Sequence, residues 1–367
     1  MKKICIVTAT RAEYGLLRWT IEALRAEPCF DVHLIVTGTH LSPAFGQTWR
    51  QIEADGVRID ERIDYLSDDR SRVGIVREMG VCAGKFANSL SALAPDLLLV
   101  LGDRYELLPI CSTALFLGIP IAHVAGGEHT EGALDEHVRN ALTMMATLHF
   151  PNSAEAAREV ERMTGSRACV FDVGEPCVEN VLRLPLPSRQ ELADDLGLDP
   201  ARDWYLCTLH PETRRTLEEN LDMARAFLQA LLELKDAEIV LSEANADPGG
   251  AEMNEFYRNC RAPRFHLCSS LGQTRYLGLL REAACVVGNS SSGVIETPLA
   301  GTPAINIGGR QQGRRLCPNV LSCGRDYDSI REALASPHPR LAPDLSFGDG
   351  HTSEHIVRHI KAYVHES

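Results

Sequence analysis

Short runs of apolar residues alternate along the whole chain with segments whose apolar residues recur at helical spacing. The apolar runs predict strands at 4–8, 32–37, 97–101, 119–124, 148–151 and 170–173, and at 205–209, 238–241, 265–268, 285–288 and 304–307. Between the first two runs, Leu17, Ile21 and Leu24 lie on one side of a predicted helix. Near-continuous apolar strands that alternate with helices are typical of parallel sheets covered on both faces. The pattern therefore predicts an α/β protein.

The alternation pauses at 184–188, where the sequence Leu-Pro-Leu-Pro-Ser indicates a linker. A chain of 367 residues also exceeds one ordinary hydrophobic core. We therefore expect two doubly wound domains with a cleft between them, the first at 1–183 and the second at 184–351. Apolar residues on one face of the final segment predict a helix at 352–367 that packs back on the first domain.

Charge and cysteine content narrow the class of protein. The net charge of −13 at pH 7 disfavours general binding to nucleic acid or to anionic membranes, and no stretch approaches the length of a membrane span. The N-terminal apolar run is too short for a signal peptide, and the 12 cysteines include no Cys-x-x-Cys pair. We therefore expect a cytoplasmic protein with reduced thiols. No clustered ligand spacing predicts a metal site.

The richest polar turn follows the predicted strand at 285–288. It reads Gly-Asn-Ser-Ser-Ser-Gly and precedes a helical pattern, so it combines hydroxyls, free backbone N–H groups and a helix N-terminus, which together bind phosphate. Glu296 lies six residues after Ser290, and we expect it on the same helix, where its carboxylate can accept hydrogen bonds from a ribose diol. The alternative interpretation is a serine-rich N-cap that binds no ligand.

Charged side chains follow other predicted strands, and ligands of parallel sheets bind at these carboxyl ends. Arg11 follows the first strand and has the charge to bind a phosphate, although a surface arginine fits the same position. Asp103 has three interpretations: a structural ion pair with Arg104, an N-cap of the next helix, or a catalytic or site-ordering group. His210 ends the first strand of the second domain, where we expect it to face the cleft and to titrate near neutrality. That behaviour suits proton transfer or a hydrogen bond to a leaving phosphate, and a structural histidine is the alternative.

Two further strand ends complete the candidate site. Glycines and three arginines at 308–315 suit an anionic ligand and, with the serine turn, predict a diphosphate pocket. Glu128, on the earlier glycine turn, is a candidate site residue. Glu131, Asp135 and Arg139 are spaced to share one face of the following helix. The alternative to a functional role for that face is a solvent-exposed surface with salt bridges. The turn after the first strand lacks the G-x-G-x-x-G fingerprint, which disfavours a nicotinamide enzyme.

Eight short motifs occur in an order that resembles one known family. They are TRAEYG at 10–15, GDR at 102–104, GGE at 126–128, DEHVR at 135–139, HPET at 210–213, GNSSSG at 288–293, GRQQGR at 309–314 and GDG at 348–350. Over nearly its whole length the chain resembles the hydrolysing UDP-N-acetylglucosamine 2-epimerases of sialic acid and legionaminic acid biosynthesis. The resemblance implies a GT-B fold of two Rossmann-like domains, the second of which binds the nucleotide. It also implies a homodimer or homotetramer and no cofactor.

The implied reaction starts from UDP-N-acetylglucosamine or from a UDP- or GDP-linked 2,4-diacetamido-trideoxyglucose. Elimination to a glycal and hydration then release the nucleoside diphosphate and the free sugar inverted at C2, with UDP favoured because most relatives use it. Asp103 and Asp135 match the family's catalytic carboxylates, and we place Glu128 and His210 with them as candidate catalytic residues. The candidate substrate-binding residues are Arg11, Arg104, Arg139, Ser290, Ser291, Ser292, Gly293, Glu296, Arg310, Gln311 and Arg314.

The chain departs from the family pattern at three positions. Ala125 stands where many relatives carry Glu or His, and Asn140 and Met144 replace a usual His and Lys. If the side chain at position 125 carries a proton in relatives, Glu128, Glu131 or a water takes that role here. The alternative functions are a non-hydrolysing epimerase, a GT-B glycosyltransferase, and a nucleotide-sugar-binding protein without catalysis.

Overall fold

The computed structural model describes residues 1–67, 69, 71–129, 134–245 and 247–366. It divides into two compact units, the first formed by 1–180 and 347–367 and the second by 181–346. Glu131, which was predicted to share a helical face with Arg139, lies outside the described residues. No helix in the described ranges is both long and apolar enough to cross a membrane.

Each unit contains one parallel sheet of six strands. The strands are Lys2–Thr8 (β1), Phe30–Thr37 (β2), Glu61–Ile63 (β3), Leu97–Leu101 (β4), Ile121–Val124 (β5), Leu148–Phe150 (β6), Asp203–Thr208 (β7), Ala237–Ser242 (β8), Phe265–Cys268 (β9), Cys285–Gly288 (β10), Ala304–Ile307 (β11) and Val320–Cys323 (β12). The first sheet has the order β3-β2-β1-β4-β5-β6 and the second the order β12-β11-β10-β7-β8-β9. Counted from the first strand of each unit, both sheets have the strand order 3-2-1-4-5-6 of the Rossmann fold.

Helices connect the strands and cover both faces of each sheet. They are Arg11–Ala26 (α1), Trp49–Ala54 (α2), Arg72–Leu93 (α3), Leu107–Phe116 (α4), Leu134–Met145 (α5), Ala154–Thr164 (α6), Pro176–Arg183 (α7), Arg189–Leu196 (α8), Leu217–Leu232 (α9), Gly250–Arg258 (α10), Gly272–Glu282 (α11), Ser292–Ile295 (α12), Thr297–Ala300 (α13), Tyr327–Ala335 (α14) and Thr352–Glu366 (α15). The predicted α/β fold with two doubly wound sheets is confirmed.

Successive side chains of β1 point to opposite faces of the sheet and are buried on both, which explains why the strands appear in the sequence as continuous apolar runs. Ile4 and Ile6 pack in one buried cluster with α1 and α15, which contributes Ile360. Cys5 and Val7, which point to the opposite face, pack in a second cluster with α3 and α4. Both faces of the strand are therefore removed from water, so every position favours an apolar side chain.

The strands at the sheet edges were predicted less well. The predictions missed β3 and β12, whose side chains are largely exposed and of mixed polarity, so neither produces a continuous apolar run. The strand predicted at 170–173 was wrong: this extended segment forms an isolated bridge between Val170 and His149 and further backbone hydrogen bonds, but no strand. Its partner strand β6 ends before Pro151, which has no N–H to extend the hydrogen-bond ladder.

Candidate active site

The candidate residues follow the strands at which each sheet changes its direction of winding. In the first unit, Arg11 follows β1 and Asp103 follows β4, two neighbouring strands. In the second unit, His210 follows β7 and Ser290 follows β10, again two neighbours. Such switch points leave a crevice outside the carboxyl ends of the strands, where ligands of doubly wound sheets bind.

In the second unit, a reciprocal pair of hydrogen bonds joins the two strand ends. The Asn289 side chain accepts from the His210 backbone N–H at 2.7 Å and donates to the His210 carbonyl at 2.8 Å. Gly288 permits this close approach, because it adopts a φ of +148° and an added Cβ would lie 1.8 Å from the Thr208 carbonyl oxygen. The histidine and the serine turn are therefore held in a fixed relation by Asn289.

The serine turn presents unused backbone donors. In the part of the chain that the structure describes, the N–H groups of Ser290 and Ser291 donate to no acceptor, whereas the Ser292 N–H approaches the Ser290 hydroxyl at 3.4 Å. Two adjacent free N–H groups beside hydroxyls form a site for an anion.

The expectation that Glu296 shares the helix of the turn was wrong. The helix α12 ends at Ile295 and α13 begins at Thr297, so Glu296 lies at the junction. Pro298 explains the break, because it has no N–H to donate to the carbonyl one turn earlier. The Ser292 hydroxyl donates to the Glu296 carboxylate, and burial raises the pKa of that carboxyl.

The loop after β11 is attached to the same turn. Gln311 is buried and its amide donates to the Asn289 carbonyl at 2.9 Å, while the Arg310 guanidinium lies 3.4 Å from that oxygen and 3.7 Å from Asp247. The carboxylate of Glu212 accepts from the Gly309 N–H at 2.6 Å and fixes the start of the loop. Gln311 thus supports the turn, and the loop places Arg310 beside it.

His210 is a neutral hydrogen-bond donor, which corrects the expectation that it titrates near neutrality. Burial and then the nearby Arg310 lower the pKa of His210 to about 4. The Asn245 backbone N–H donates to Nδ1 at 3.1 Å. Because Nδ1 accepts, the single proton of the neutral ring is on Nε2. A neutral ring with its proton on Nε2 can donate one hydrogen bond from that nitrogen.

In the first unit, Arg139 joins two of the candidate catalytic residues. Its guanidinium donates to the Asp103 carboxylate through Nε at 3.1 Å and through Nη2, and its Nη1 donates to the Glu128 carbonyl at 2.6 Å. Asp135 lies one turn before Arg139 on α5. The structure therefore brings Asp103, Glu128 and Arg139 together. The N-cap interpretation of Asp103 was wrong, because α4 begins only at Leu107 with Glu106 as its N-cap.

Arg104 and Arg11 have different environments. The Arg104 guanidinium forms a two-pronged ion pair with the fully buried Glu106, with Nε 3.2 and 3.1 Å from its two oxygens. Arg11 is exposed in the first turn of α1. That turn is fixed by a capping box in which the Thr10 hydroxyl accepts from the Glu13 N–H and the Glu13 carboxylate accepts from the Thr10 N–H at 3.3 Å. The same carboxylate also accepts from the Ala9 N–H at 2.7 Å.

His123, a buried residue of β5, orders the backbone before Asp103. Its Nε2 lies 2.7 Å from the Gly102 carbonyl, which only accepts, so Nε2 carries the proton. Its Nδ1 lies 3.2 Å from the Thr143 hydroxyl of α5, and burial lowers the pKa of His123 to about 4. The neutral ring therefore connects the end of β4 to α5, the two elements that carry Asp103 and Arg139.

Among the described residues, no group of three or more His, Cys, Asp or Glu side chains is arranged to hold a metal ion. All 12 cysteines, every one of which lies in a described range, are free thiols.

Comparison with known proteins identifies the family. A model of the UDP-N-acetylglucosamine 2-epimerase family matches residues 22–361. The chain belongs to the UDP-N-acetylglucosamine 2-epimerase family. The resemblance inferred from the motifs is therefore confirmed.

Two curated relatives and one solved structure illustrate the range of this epimerase family. The GDP/UDP-N,N'-diacetylbacillosamine 2-epimerase (hydrolyzing) of Campylobacter jejuni is 33% identical over 339 residues, which are 91% of this chain and 88% of the relative. The UDP-N,N'-diacetylbacillosamine 2-epimerase (hydrolyzing) of Legionella pneumophila is 30% identical, with 98% and 96% covered. The structure of UDP-GlcNAc 2-epimerase from Neisseria meningitidis bound to UDP-GlcNAc shares the fold, with a TM-score of 0.83 at 16% identity over 98% of this chain and 100% of that one.

Motif analysis of this epimerase missed residues that hold the site rather than face a ligand. Asn289 and Glu212 lie inside quoted motifs, yet their roles depend on partners 79 and 97 residues away in sequence. In the sequence, His123 lies inside an apolar run and was predicted only as part of a buried strand. A buried polar residue in an apolar run was the available signal, because such a group requires a hydrogen-bond partner.

Proposed function

We propose that the protein is a hydrolysing nucleotide-sugar 2-epimerase. The observation that supports this most strongly is the match to the Legionella pneumophila relative, which is named as hydrolyzing and aligns over 98% of this chain. The proposed substrate is UDP-N-acetylglucosamine or a UDP- or GDP-linked 2,4-diacetamido-trideoxyglucose. The second of these is favoured by the names of two relatives. The proposed products are the nucleoside diphosphate and the free 2-epimer.

We assign the nucleotide to the second unit. We propose that the diphosphate is bound by the backbone N–H groups of Ser290 and Ser291, the serine hydroxyls, Gly293, Arg310 and Arg314. The His210 Nε2–H donates a hydrogen bond to the same diphosphate. Negative charge grows on these oxygens as the bond to the sugar breaks, so fixed donors there stabilise the transition state more than the ground state. Glu296 accepts from the ribose hydroxyls. In the first unit, Arg11 and Arg104 approach the nucleotide sugar.

The reaction must begin at C1, because the C2 hydrogen of the sugar is not adjacent to a carbonyl. As the C1–O bond lengthens, the ring gains oxocarbenium character and the C2 hydrogen becomes acidic. A carboxylate removes it, the C1–O electron pair leaves with the diphosphate, and a C1–C2 double bond forms. Water then adds to C1 and loses a proton, while an acid delivers a proton to C2 from the opposite face. The product is the free epimer.

Two proton carriers on opposite faces of the ring are needed for this sequence. We propose that Asp103, Glu128 and Asp135 supply them, with Arg139 holding the first two in register. The residues from Ala125 to Gly127 have no ionisable side chain. If the side chain at position 125 carries a proton in relatives, we propose that Glu128 takes that role here.

Product analysis tests the proposal against its main alternative. Purified protein is incubated with each candidate nucleotide sugar, and anion-exchange chromatography separates free nucleoside diphosphate from nucleotide sugars. We expect free UDP or GDP and free sugar in equal amounts. An epimerised sugar still linked to its nucleotide would identify a non-hydrolysing epimerase, and nucleotide binding without any product would identify a binding protein.

A further inference from the structure

A hydrogen-bond network connects Glu128 to two residues outside the predicted site. Asn152 has 4% of its surface exposed. Its side-chain Nδ2 donates to Oε1 of Glu128 at 2.7 Å and to Oε1 of Glu175 at 2.6 Å. One amide group therefore holds two carboxylates, using both of its hydrogens.

The chemistry of the three groups fixes the orientation of this amide. Ionised carboxylates only accept hydrogen bonds, so the nitrogen of Asn152 must face them and the oxygen must face away. The Asn152 Oδ1 is buried and has no partner within the described residues. Leaving a buried carbonyl oxygen without a hydrogen bond is unfavourable. The Asn152 amide therefore keeps both N–H donors on the two carboxylates, although its own oxygen lacks a hydrogen bond in the described part of the chain.

Two of the three side chains come from the ends of neighbouring strands at one edge of the first sheet, and the third follows an extended segment beside them. Glu128 follows β5 and Asn152 follows β6. Glu175 follows the extended segment at 170–173, whose Val173 N–H donates to the Pro151 carbonyl at 3.0 Å. The backbone N–H of Glu175 donates to the Phe347 carbonyl at 2.7 Å. The backbone of Glu175 is therefore held by this hydrogen bond, and its side chain accepts the hydrogen bond from Asn152.

The backbone of Glu128 is fixed as well. The Arg139 guanidinium donates to its carbonyl. The preceding Gly127 has a φ of +87°, and an added Cβ would lie 2.3 Å from the Ala156 carbonyl oxygen. The backbone of this turn is therefore restrained, and Asn152 holds one oxygen of the carboxylate at its end.

We propose that Asn152 is a positioning residue for the Glu128 carboxylate and that Glu175 is its second anchor. The inference rests on the proposed function, in which Glu128 carries a proton to or from C2. Proton transfer requires close placement of the carrying oxygen, and a shift of about 1 Å can lower a rate by about a hundredfold. Asn152 acts on the reaction through Glu128 and contributes no separate contact to the sugar.

A double-mutant cycle tests this dependence. The rate of UDP release is measured for the wild type, Asn152→Ala, Glu128→Gln and the double variant. We expect kcat to fall about tenfold for Asn152→Ala, with KM within about threefold, and about a hundredfold for Glu128→Gln. The double variant should be no slower than Glu128→Gln alone, because Asn152 then has no carboxylate to position. A double variant about a thousandfold slower than the wild type would show independent effects and overturn the inference.

Matched variants separate positioning from loss of structure. Asn180 is a buried asparagine of the same unit that donates to the Gly15 carbonyl at 2.9 Å and accepts from Trp19 at 2.9 Å. We expect Asn180→Ala to lower the melting temperature while its kcat stays within about twofold. If Asn152→Ala fails to fold, Asn152→Ser, which retains one donor, replaces it in the cycle.

Variants of Glu175 complete the test. Glu175→Gln keeps an oxygen that accepts from Asn152, so its kcat should stay within about twofold, whereas Glu175→Ala should resemble Asn152→Ala. Equal losses in both variants, or none in either, would contradict the role of second anchor. If the wild type releases no nucleoside diphosphate, the proposed function itself fails; an active wild type with independent effects of Asn152 and Glu128 rejects this inference alone.

Discussion

Burial keeps two ionisable side chains near the strand ends uncharged at neutral pH. His210 loses its proton because burial and Arg310 lower its pKa to about 4. Glu13 has 5% of its surface exposed, and burial raises its pKa to about 8 despite hydrogen bonds from the Ala9 and Thr10 N–H groups. The carboxyl of the α1 capping box is therefore protonated at neutral pH.

The state of Glu13 predicts a pH dependence of stability. Between its ordinary pKa near 4.5 and its folded value of about 8, the folded protein binds more protons than the unfolded chain. Its contribution to stability is therefore lost as the pH rises through this window, by up to about 1.4 kcal/mol per pH unit. Glu13→Gln imitates the protonated form, so urea unfolding from pH 6 to 8 should show the wild type losing stability relative to the variant. Parallel curves would show that Glu13 is already ionised.

The donor role of His210 predicts a graded response to substitution. His210→Gln retains an N–H donor near the position of Nε2 and should keep more activity than His210→Ala, for which we expect a loss in kcat of about a hundredfold. Steady-state rates of UDP release measure both. Equal and complete loss in the two variants would favour proton transfer by the imidazole.

At the scale of elements, the approach of β7 and β10 depends on one glycine. An added Cβ on Gly288 would lie 1.8 Å from a backbone oxygen of β7. We expect Gly288→Ala to separate the strand ends and to lower the free energy of unfolding by about 3 kcal/mol. Gly293→Ala is the control for stability, because the nearest atom to its added Cβ is 3.9 Å away. Equal denaturant midpoints for the two variants would contradict this account of the turn.

The sequence predicted the strands that are buried on both faces of a sheet. It predicted exposed strands and helix breaks less well. The buried strands β4 and β10 were predicted from their apolar runs, because burial on both faces demands such residues. The edge strand β3 was missed, since exposure leaves its sequence Glu-Arg-Ile without an apolar pattern. The break between α12 and α13 was also missed, although Pro298 marked it.

For the whole molecule, the sequence supported the fold class and the family, whereas the geometry of the site came from long-range pairing. Strand order cannot be read from periodicity, because it depends on which strands meet. The pair of Asn289 with His210 and the pair of Arg139 with Asp103 join residues 79 and 36 positions apart. The order of the motifs indicated the family of the protein, but it did not indicate which of these residues form hydrogen bonds with each other.

The proposed reaction eliminates a nucleoside diphosphate and then returns a solvent proton to C2. We would incubate the wild type in deuterium oxide with UDP-N-acetylglucosamine and with UDP- and GDP-linked 2,4-diacetamido-trideoxyglucose, and analyse the products by NMR. We expect free nucleoside diphosphate and a free 2-epimer that carries one deuterium at C2 for each nucleoside diphosphate released. Nucleoside diphosphate released with a sugar that keeps its original hydrogen at C2, or no release from any of the three donors, would rule out this reaction.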